Sequence, residues 1–312
     1  MENKIIHYMD EISSIKEGKD VHPITCEIDP SNACNLNCSF CMYAKGLKIN
    51  KDILPWDIYR NLITELKTLG VKSITFTGGG EPLMNPRFND MVLEANLLGF
   101  EIGLITNGTL LDRVENLDHF KFIRISLDAY DEKSYDKIKG KYLFNTVIRN
   151  IEDVVSSSEK TDIGVSYVVC EDNVNGIEKI QEILSRIGIK YIQFKPAWIN
   201  GGKFELPQDI DGDRTIITDR YIAKNNLPCL IAGLIGIVGA NSKVYFCCQY
   251  RLNKKFCLGS LEEESFASLW KKRKNIVPDI SKCPQCRYQN YAEGFEVFSQ
   301  PRYTFLQHKN FL

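Results

Sequence analysis

The stretch PWDIYRNLITELKTLGVKSITFTGGG, residues 55–80, sets a helix directly before a short apolar strand. Its first sixteen residues carry apolar side chains at helical spacing, with Pro55 near the start and Gly70 at the stop. Residues 72–80 then have the pattern of a buried strand that ends in glycines. Helices that alternate with strands in this way indicate a parallel sheet with right-handed crossovers.

The same alternation continues to residue 198. Strands are predicted at TCEIDPS (25–31), KSITFTGGG (72–80), EIGLITNGT (101–109), FIRISLDA (122–129), IGVSYVV (163–169) and YIQFKPAW (191–198). Six units are too few for a complete eight-stranded barrel, so we predict an α/β fold with a partial, open (βα)6 barrel similar to a TIM barrel. In such sheets the chemistry lies at the carboxyl ends of the strands, where glycines and polar residues gather here.

The alternation of strands and helices ends at about residue 200. Residues 200–214 are rich in Gly, Asp and Pro, which indicates a linker. Beyond it, SKVYFCCQ (242–249) reads as a strand and SLEEESFASLWKKRKN (260–275) as a helix capped by Ser260. We therefore predict an N-terminal segment 1–21, a barrel 22–200, and a linker with a small C-terminal α+β extension 201–312.

Composition and charge exclude several classes of function. The chain has 312 residues, of which 44% are hydrophobic and 25% charged, as in an ordinary globular protein. Its net charge of −1 provides no overall field for nucleic acid or an anionic membrane, so neither partner is expected. The charged start has no apolar core of signal-peptide length, and no segment approaches the roughly 20 apolar residues of a membrane span. We expect a cytoplasmic protein.

The segment CNLNCSFC, residues 34–41, places three of the eleven cysteines at the spacing C-x3-C-x2-C. Without an export signal, metal ligation explains so many cysteines better than disulfides do. Three thiolates on one loop can hold three irons of a cubane and leave the fourth iron open, as a catalytic metal requires. A zinc site would need a fourth ligand, and none of the four histidines lies in this loop. Unrelated buried thiols are the other alternative.

These residues resemble a known family. CNLNCSFC is similar to the cysteine signature of the radical S-adenosylmethionine (SAM) superfamily, and GGGEP (78–82) resembles that family's Gly-Gly-Glu-Pro motif. The resemblance covers about residues 22–198. It implies an enzyme whose reduced [4Fe–4S] cluster passes one electron to SAM, so that a 5′-deoxyadenosyl radical removes a hydrogen atom from the substrate. An external flavodoxin or ferredoxin would supply the electron.

The resemblance also implies a set of cofactor ligands. Cys34, Cys38 and Cys41 would hold the cluster, and its open iron would be chelated by the methionine moiety of SAM. Gly79, Gly80 and Glu81 would bind the methionine ammonium. Glycine lets a backbone come close to a ligand, and a carboxylate satisfies a buried cation, so the residue types fit these roles.

Four more residues are implied at the same edge of the sheet. Ser126 and Asp128 are placed where the family contacts the ribose hydroxyls, although both residue types also cap helices. Asn107 would lie on the rim of the site, but Asn-Gly also forms turns by itself. Phe40 would contact the adenine or serve only in packing.

A second set of cysteines lies in the predicted extension. Cys229 and Cys247, followed by Cys283 and Cys286, can close a site of four thiolates, which resembles the twitch extension, a shortened SPASM domain with an auxiliary [4Fe–4S] cluster. The family usually has glycine where this chain has Ser242, five residues before Cys247. A zinc ribbon with four cysteines is the alternative, because a C-x2-C pair does not distinguish zinc from iron–sulfur.

The chemistry beyond the cofactors is assigned to few residues. Free cysteines are usually small buried hydrophobes, but one could donate a hydrogen atom as in radical epimerases. Of the unassigned Cys26, Cys170, Cys248 and Cys257, the last two lie beside predicted ligands, and Cys248 is the catalytic candidate. Lys195, near the end of the sixth strand, is a candidate general acid or base, as is Asp128; a surface lysine is the other interpretation of Lys195.

Three functions follow from these assignments. The first is dehydrogenation or epimerisation of a small polar substrate such as a sugar, aminocyclitol or nucleotide-sugar, favoured because only 33 residues precede Cys34 and leave no peptide-recognition domain. The second is a maturase that forms a thioether or carbon–carbon link, or a D-residue, in a ribosomal peptide. The third, a non-catalytic iron–sulfur or zinc protein, is disfavoured because GGGEP would then serve no purpose.

Overall fold

The computed structural model describes residues 7–41, 43, 51–199, 202–212, 214–217, 229, 231–251 and 253–276. Within these ranges the helices are α1 (Met9–Lys16), α2 (Trp56–Thr68), α3 (Phe88–Leu97), α4 (Glu132–Lys139), α5 (Phe144–Ser157), α6 (Ile177–Ile187) and α7 (Phe266–Lys272). The strands are β1 (Thr25–Ile28), β2 (Ser73–Phe76), β3 (Glu101–Thr106), β4 (Phe120–Ser126), β5 (Asp162–Val169), β6 (Tyr191–Pro196), β7 (Trp198–Ile199), β8 (Gly202–Lys203), β9 (Thr215–Ile217), β10 (Ile235–Val238), β11 (Lys243–Tyr245) and β12 (Cys257–Ser260).

Ten of these strands form one sheet in the order β12-β11-β10-β1-β2-β3-β4-β5-β6-β9. The strands β1 to β6 lie side by side in chain order, and each neighbouring pair is parallel. Parallel pairing brings their carboxyl ends to one edge. The partial (βα)6 barrel predicted from the sequence is therefore confirmed.

Helix α2 shows why the opening stretch folds as it does. Its buried residues Tyr59, Leu62, Ile63 and Leu66 recur at helical spacing and pack on the sheet core. Pro55 occupies the N-cap, where the missing N–H costs nothing. After the helix, Gly70 has φ of 82°, a left-handed conformation that glycine adopts without strain. The chain can then turn directly into β2.

The C-terminal extension contributes strands to the same sheet. β10 pairs in parallel with β1, while β11 and β12 continue outward as antiparallel neighbours. At the opposite edge the short β9 pairs in parallel with β6. The strands β9 and β10 were not predicted from the sequence, because each is a short apolar run without the helix that announces the other parallel strands.

Ser242 occupies the turn between β10 and β11 with φ of 60°. Its backbone N–H donates to the carbonyl of Gly239 at 3.0 Å, which closes the turn. A φ of 60° is the left-handed conformation, which glycine adopts with less strain than serine does. Serine therefore occupies a position whose backbone conformation favours glycine.

Two local predictions needed correction. Ser260 does not cap the helix of the extension; α7 begins at Phe266, and the side chain of Ser265 accepts the N–H of Ser268 as its cap. Ser260 heads a separate turn, where its hydroxyl accepts the N–H of Glu262 at 3.3 Å. Helix α4 was missed because it follows β4 closely; Asp131 caps it through a capping box with Ser134.

None of the helices in the described residues is long and apolar enough to cross a lipid bilayer. The division of the chain at residues 21 and 200 remains a prediction. What the structure adds is that strands on both sides of residue 200 belong to one sheet.

Candidate cofactor site

The carboxyl ends of β1 to β4 surround a cavity of about 400 Å³. Its wall contains every residue that the sequence assigned to the first cluster and to SAM: Cys34, Cys38, Cys41, Phe40, Gly79, Gly80, Glu81, Asn107, Ser126 and Asp128. The fold thus brings together residues from four strand ends, as the sheet topology requires. Their individual roles remain predictions.

The loop that carries the three cysteines is held from two sides. On one side it meets the glycine loop after β2, where the N–H of Gly80 donates to Ser31 at 3.1 Å and that of Glu81 to Ala33 at 2.8 Å. A Cβ added to Gly80 would lie 2.2 Å from the carbonyl oxygen of Ala33. Glycine is therefore required there because two backbones touch, a reason the sequence did not reveal.

On the other side the cysteine loop docks on the end of α4. The N–H of Asn37 donates to the carbonyl of Lys139 at 2.9 Å, and that of Ser39 to Ile138 at 2.8 Å. These bonds satisfy carbonyls that the last turn of a helix leaves without partners. Helix α4 thereby sets the position of the residues on either side of Cys38.

The thiols of the loop lie close enough to influence one another. Burial raises the pKa of Cys34, and the nearby Glu81 and Cys41 add to that rise. Burial likewise raises the pKa of Cys38 to about 11, although Lys139 acts in the opposite direction. Thiols of this kind become ligands when a metal displaces their protons.

These residues fit an iron–sulfur cluster and SAM. In the described part of the chain no group of three or more His, Cys, Asp or Glu side chains is gathered closely enough to hold a metal ion. The three thiols instead line a common cavity, which suits a ligand of several atoms. Beside them lie the open backbone of Gly78–Gly80, a buried carboxylate and a buried cation, a set able to receive a zwitterionic amino acid moiety.

Glu81 is 1% exposed and its carboxylate is already bound by β3. It accepts hydrogen bonds from Thr106 Oγ1 at 2.6 Å and from the N–H of Asn107 at 2.7 Å. Burial raises the pKa of Glu81 to about 7, against the effect of these donors. The side chain of Glu81 therefore fixes the glycine loop to β3, in addition to its predicted role in binding SAM. Thr106, the last residue of β3, was not predicted as a site residue from the sequence.

Asp128 forms a buried ion pair with Lys139. Its backbone has φ of 56°, and its Oδ1 accepts the N–H of Val168 at 2.6 Å. Lys139 also donates to the carbonyl of Ser126 at 3.0 Å. Burial by itself would lower the pKa of Lys139, but Asp128 and Cys38 outweigh it and raise that pKa. Capping is thus not the role of Asp128, since Asp131 caps α4.

Lys139 is the main site residue that the sequence did not reveal. It is 2% exposed, lines the cavity, and lies 5.8 Å from the centre of the Phe40 ring. The sequence does contain an indication of this residue: a lysine lies at the end of α4, the helix that follows the residues Ser-Leu-Asp at the end of β4. By their helical spacing, Tyr135, Ile138 and Lys139 lie on the same buried face of α4. A lysine on a buried face needs an anionic partner.

Asn107 ties the end of β3 to the cysteine loop. Its Nδ2 donates to Asn35 Oδ1 at 2.8 Å, and Asn35 in turn donates to Thr109 Oγ1 at 2.7 Å. The Asn107 amide also reaches Cys34 Sγ at 4.0 Å. Its Oδ1 accepts the N–H of Thr109 at 2.9 Å, so Asn107 both closes a turn and lies on the cavity wall.

The residues predicted for other roles lie farther out. Lys195 is paired with Val168 across β6 and β5 and so shares a sheet face with a residue of the cavity wall, but is not itself on that wall. Cys248 is buried in the extension. Cys229 and Cys247 both pack against the cluster of Ala232, Phe246 and Phe256. Cys283 and Cys286 lie outside the described residues.

Comparisons with known proteins agree with this geometry. A family model described as the radical SAM superfamily matches residues 28–184. The mycofactocin maturase MftC of Mycolicibacterium smegmatis is 24% identical over 83% of this chain and 72% of its own length. A GTP 3′,8-cyclase of Synechocystis is 33% identical over 46% of this chain, and the chain spans 44% of that relative.

Among solved structures, anSMEcpe with bound AdoMet superposes with a TM-score of 0.64. The superposition covers 90% of this chain and 98% of that chain, at 17% identity. Likeness at this identity concerns the fold alone, and it extends beyond the barrel into the extension.

Proposed function

The chain belongs to the radical SAM superfamily, and from this premise we propose that it matures a ribosomally synthesised peptide. Members of the family bind a [4Fe–4S] cluster and SAM, which together supply, when bound, a radical able to remove a hydrogen atom from a substrate. The proposed product is a thioether or carbon–carbon crosslink, or an epimerised residue. An external flavodoxin or ferredoxin would donate the electron.

The match to the mycofactocin maturase carries this proposal. A match over 83% of a 312-residue chain is longer than the predicted barrel of residues 22–200, so it must include part of the extension. GTP 3′,8-cyclases of Clostridium perfringens and Methanococcus aeolicus match 74% of this chain, so similarity in the extension does not by itself separate the two substrate classes. The peptide is favoured because the mycofactocin maturase covers more of this chain, and because a second maturation protein, SkfB of Bacillus subtilis, matches 53% of it.

The chain's own residues would do the following. Cys34, Cys38 and Cys41 would hold the cluster at the cavity wall. The backbone of Gly79 and Gly80, with Glu81, would receive the methionine ammonium; the buried Lys139, which is paired with Asp128, also lines the cavity. Cys229, Cys247, Cys283 and Cys286 are proposed to hold the auxiliary cluster. Lys195 and Cys248 stay as proposed proton and hydrogen-atom donors.

A second candidate is dehydrogenation or epimerisation of a small polar substrate. The specific observation in its favour is the cyclase relative, whose name gives a nucleotide as its substrate and which has the higher identity of the two. In a dehydrogenation the auxiliary cluster could accept the second electron.

Substrate trials would test the proposal. The anaerobically reconstituted full chain would be mixed with SAM, dithionite and synthetic peptides translated from short reading frames beside the gene, and separately with GTP or UDP-glucose. We expect SAM cleavage to depend on a peptide, with a loss of hydrogen from the peptide for a crosslink or deuterium uptake from D2O for epimerisation. Consumption of GTP or UDP-glucose with unchanged peptides would overturn the proposal. A Cys38→Ser variant provides the inactive control.

A further inference from the structure

Arg251 reaches from the extension into the carboxyl end of β1. Its guanidinium donates from Nη2 to Glu27 Oε2 at 2.8 Å, and its Nε lies 3.1 Å from Asp29 Oδ2. Glu27 belongs to β1, and Asp29 is the first residue after that strand. All three side chains are nearly inaccessible, with exposures of 6%, 7% and 2%. A residue of the extension is therefore buried within the barrel.

The partners of Arg251 lead to the cavity by two routes. Burial raises the pKa of Asp29, and the nearby backbone N–H of Gly79, a residue that lines the cavity, acts in the opposite direction. Arg251 Nη1 also donates to the hydroxyl of Tyr43 at 3.3 Å, and Tyr43 is another residue of the cavity wall. One guanidinium thus contacts groups that support both the glycine loop and the end of the cysteine loop.

A third contact leads back to the extension. The hydroxyl of Tyr43 donates to the backbone carbonyl of Cys248 at 3.3 Å. Cys248 adjoins Cys247, so the segment with the predicted auxiliary ligand is bound to the same network.

Chemistry makes this arrangement rigid. A guanidinium is planar, stays charged, and presents its donors in a fixed fork that can serve several acceptors at once. An ammonium is a point charge and cannot hold two carboxylates and a hydroxyl in the same geometry. Because the carboxylates are buried, any displacement of Arg251 would leave a charge without a partner, so the segments are expected to move together.

We propose that Arg251 is a positioning residue that couples the SAM-binding Gly79 loop to the Cys247–Cys248 segment of the extension. The inference rests on the proposed binding of SAM in the cavity. Through this coupling, disturbing the cysteine site of the extension weakens SAM binding in the barrel, and by linkage SAM steadies that site in return.

The test measures SAM affinity without turnover. Equilibrium dialysis of radiolabelled SAM against the anaerobically reconstituted full chain would compare wild type with Arg251→Lys, which keeps the charge but not the fork. Tyr43→Phe removes the hydroxyl that links Arg251 to Cys248 but leaves the contacts of Arg251 with Glu27 and Asp29 in place. Arg273→Lys is the matched control, because Arg273 is a half-buried arginine of the same extension that stacks on Trp270 away from the cavity.

We expect Arg251→Lys to weaken SAM binding by about 10-fold or more, as supporting residues around metal sites commonly do. Tyr43→Phe should have a smaller effect, and Arg273→Lys none. In a cycle with Cys247→Ser, that substitution should weaken SAM binding in wild type but add little once Arg251 is lysine. The electron paramagnetic resonance change that SAM causes in the reduced cluster should diminish in parallel.

The outcomes separate the two claims. If wild type binds SAM and Arg251→Lys binds it equally well, the coupling is overturned while the proposed function stands. A lower unfolding temperature with unchanged SAM affinity would make Arg251 purely structural and also overturn the inference. If the wild-type chain does not bind SAM, the proposed function fails and the inference with it.

Discussion

The carboxylate of Glu65 accepts the backbone N–H of Phe266 at 2.8 Å, so a helix of the barrel caps a helix of the extension. The other oxygen of Glu65 accepts the N–H of Ala267 at 2.9 Å. These N–H groups belong to the first turn of α7, which has no partners for them within the helix. A negative charge at this end also complements the helix dipole.

Glu65→Ala should therefore lower the free energy of unfolding by about 1–2 kcal/mol, the usual cost of losing a helix cap. Urea denaturation of the reduced, metal-free chain would measure it. Glu152→Ala, on an exposed position of α5, is the matched control and should change stability by less than about 0.5 kcal/mol. Equal effects of the two substitutions would show that the Glu65 contacts do not stabilise the docked helix.

Gly80→Ala should displace the cysteine loop, because the added methyl group would overlap the carbonyl of Ala33. We expect iron incorporation to fall and SAM affinity to drop by about 10-fold or more. Iron analysis after anaerobic reconstitution would measure the first effect and dialysis the second. Gly70→Ala is the control: its Cβ meets nothing within 4 Å, so it carries only the strain of a left-handed backbone. Full iron content in Gly80→Ala would contradict the steric argument.

The parts of the molecule that the sequence predicted share a physical reason. β1 to β6 are flanked by amphipathic helices or glycine turns, and both signals are local along the chain. The cysteine spacing is equally local. Gly80, by contrast, was assigned to ligand contact, while the structure shows that it must be glycine because it touches the backbone of Ala33. A contact between segments that are distant in sequence cannot be predicted from the sequence pattern of either segment alone.

Lys139 and β10 illustrate the same limit. A lysine near a helix end is usually exposed, and only the tertiary pairing with Asp128 makes burial of this one possible. The strand β10 becomes part of the sheet because β1 offers a free edge. No pattern within residues 235–238 predicts this pairing. Arg251 was missed for this reason too, since its partners lie in β1, directly after β1 and at the end of the cysteine loop.

Lys139→Met should destabilise the chain by about 3–5 kcal/mol, because it leaves the Asp128 carboxylate buried without its cation. The double variant Lys139→Met/Asp128→Asn buries no unpaired charge and should recover much of the loss. Denaturation of the metal-free forms would provide both values. A double variant no more stable than Lys139→Met would show that the packing of the lysine, and not its charge, matters.

The Cys34/Cys38/Cys41→Ala variant should retain about four irons after anaerobic reconstitution, held by the cysteines of the extension. Iron analysis and electron paramagnetic resonance of the reduced form would detect them. A further Cys247→Ser substitution should remove this signal. Retention of zinc in place of iron, or of no metal, would exclude an auxiliary iron–sulfur cluster and favour redox-neutral chemistry.

Glu81 should make stability depend on pH in a defined direction. Burial raises its pKa from 4.5 to about 7, so between these values the folded chain holds the proton more tightly than the unfolded chain. The contribution of Glu81 to the free energy of unfolding is therefore highest at or below about pH 4.5. This contribution falls as the pH rises. Once the pH exceeds 7, it is lower by about 3 kcal/mol than it is at pH 4.5.

Glu81→Gln keeps an oxygen to accept from Thr106 but cannot ionise. It should remove this decline, so the difference in stability between Glu81→Gln and wild type should grow from pH 5 to pH 7.5. Denaturation of the reduced, metal-free chain at several pH values would measure the difference, with Glu152→Gln as the control for loss of a carboxylate. If the difference stayed constant with pH, Glu81 would be ionised throughout, and the three hydrogen bonds it accepts would outweigh its burial.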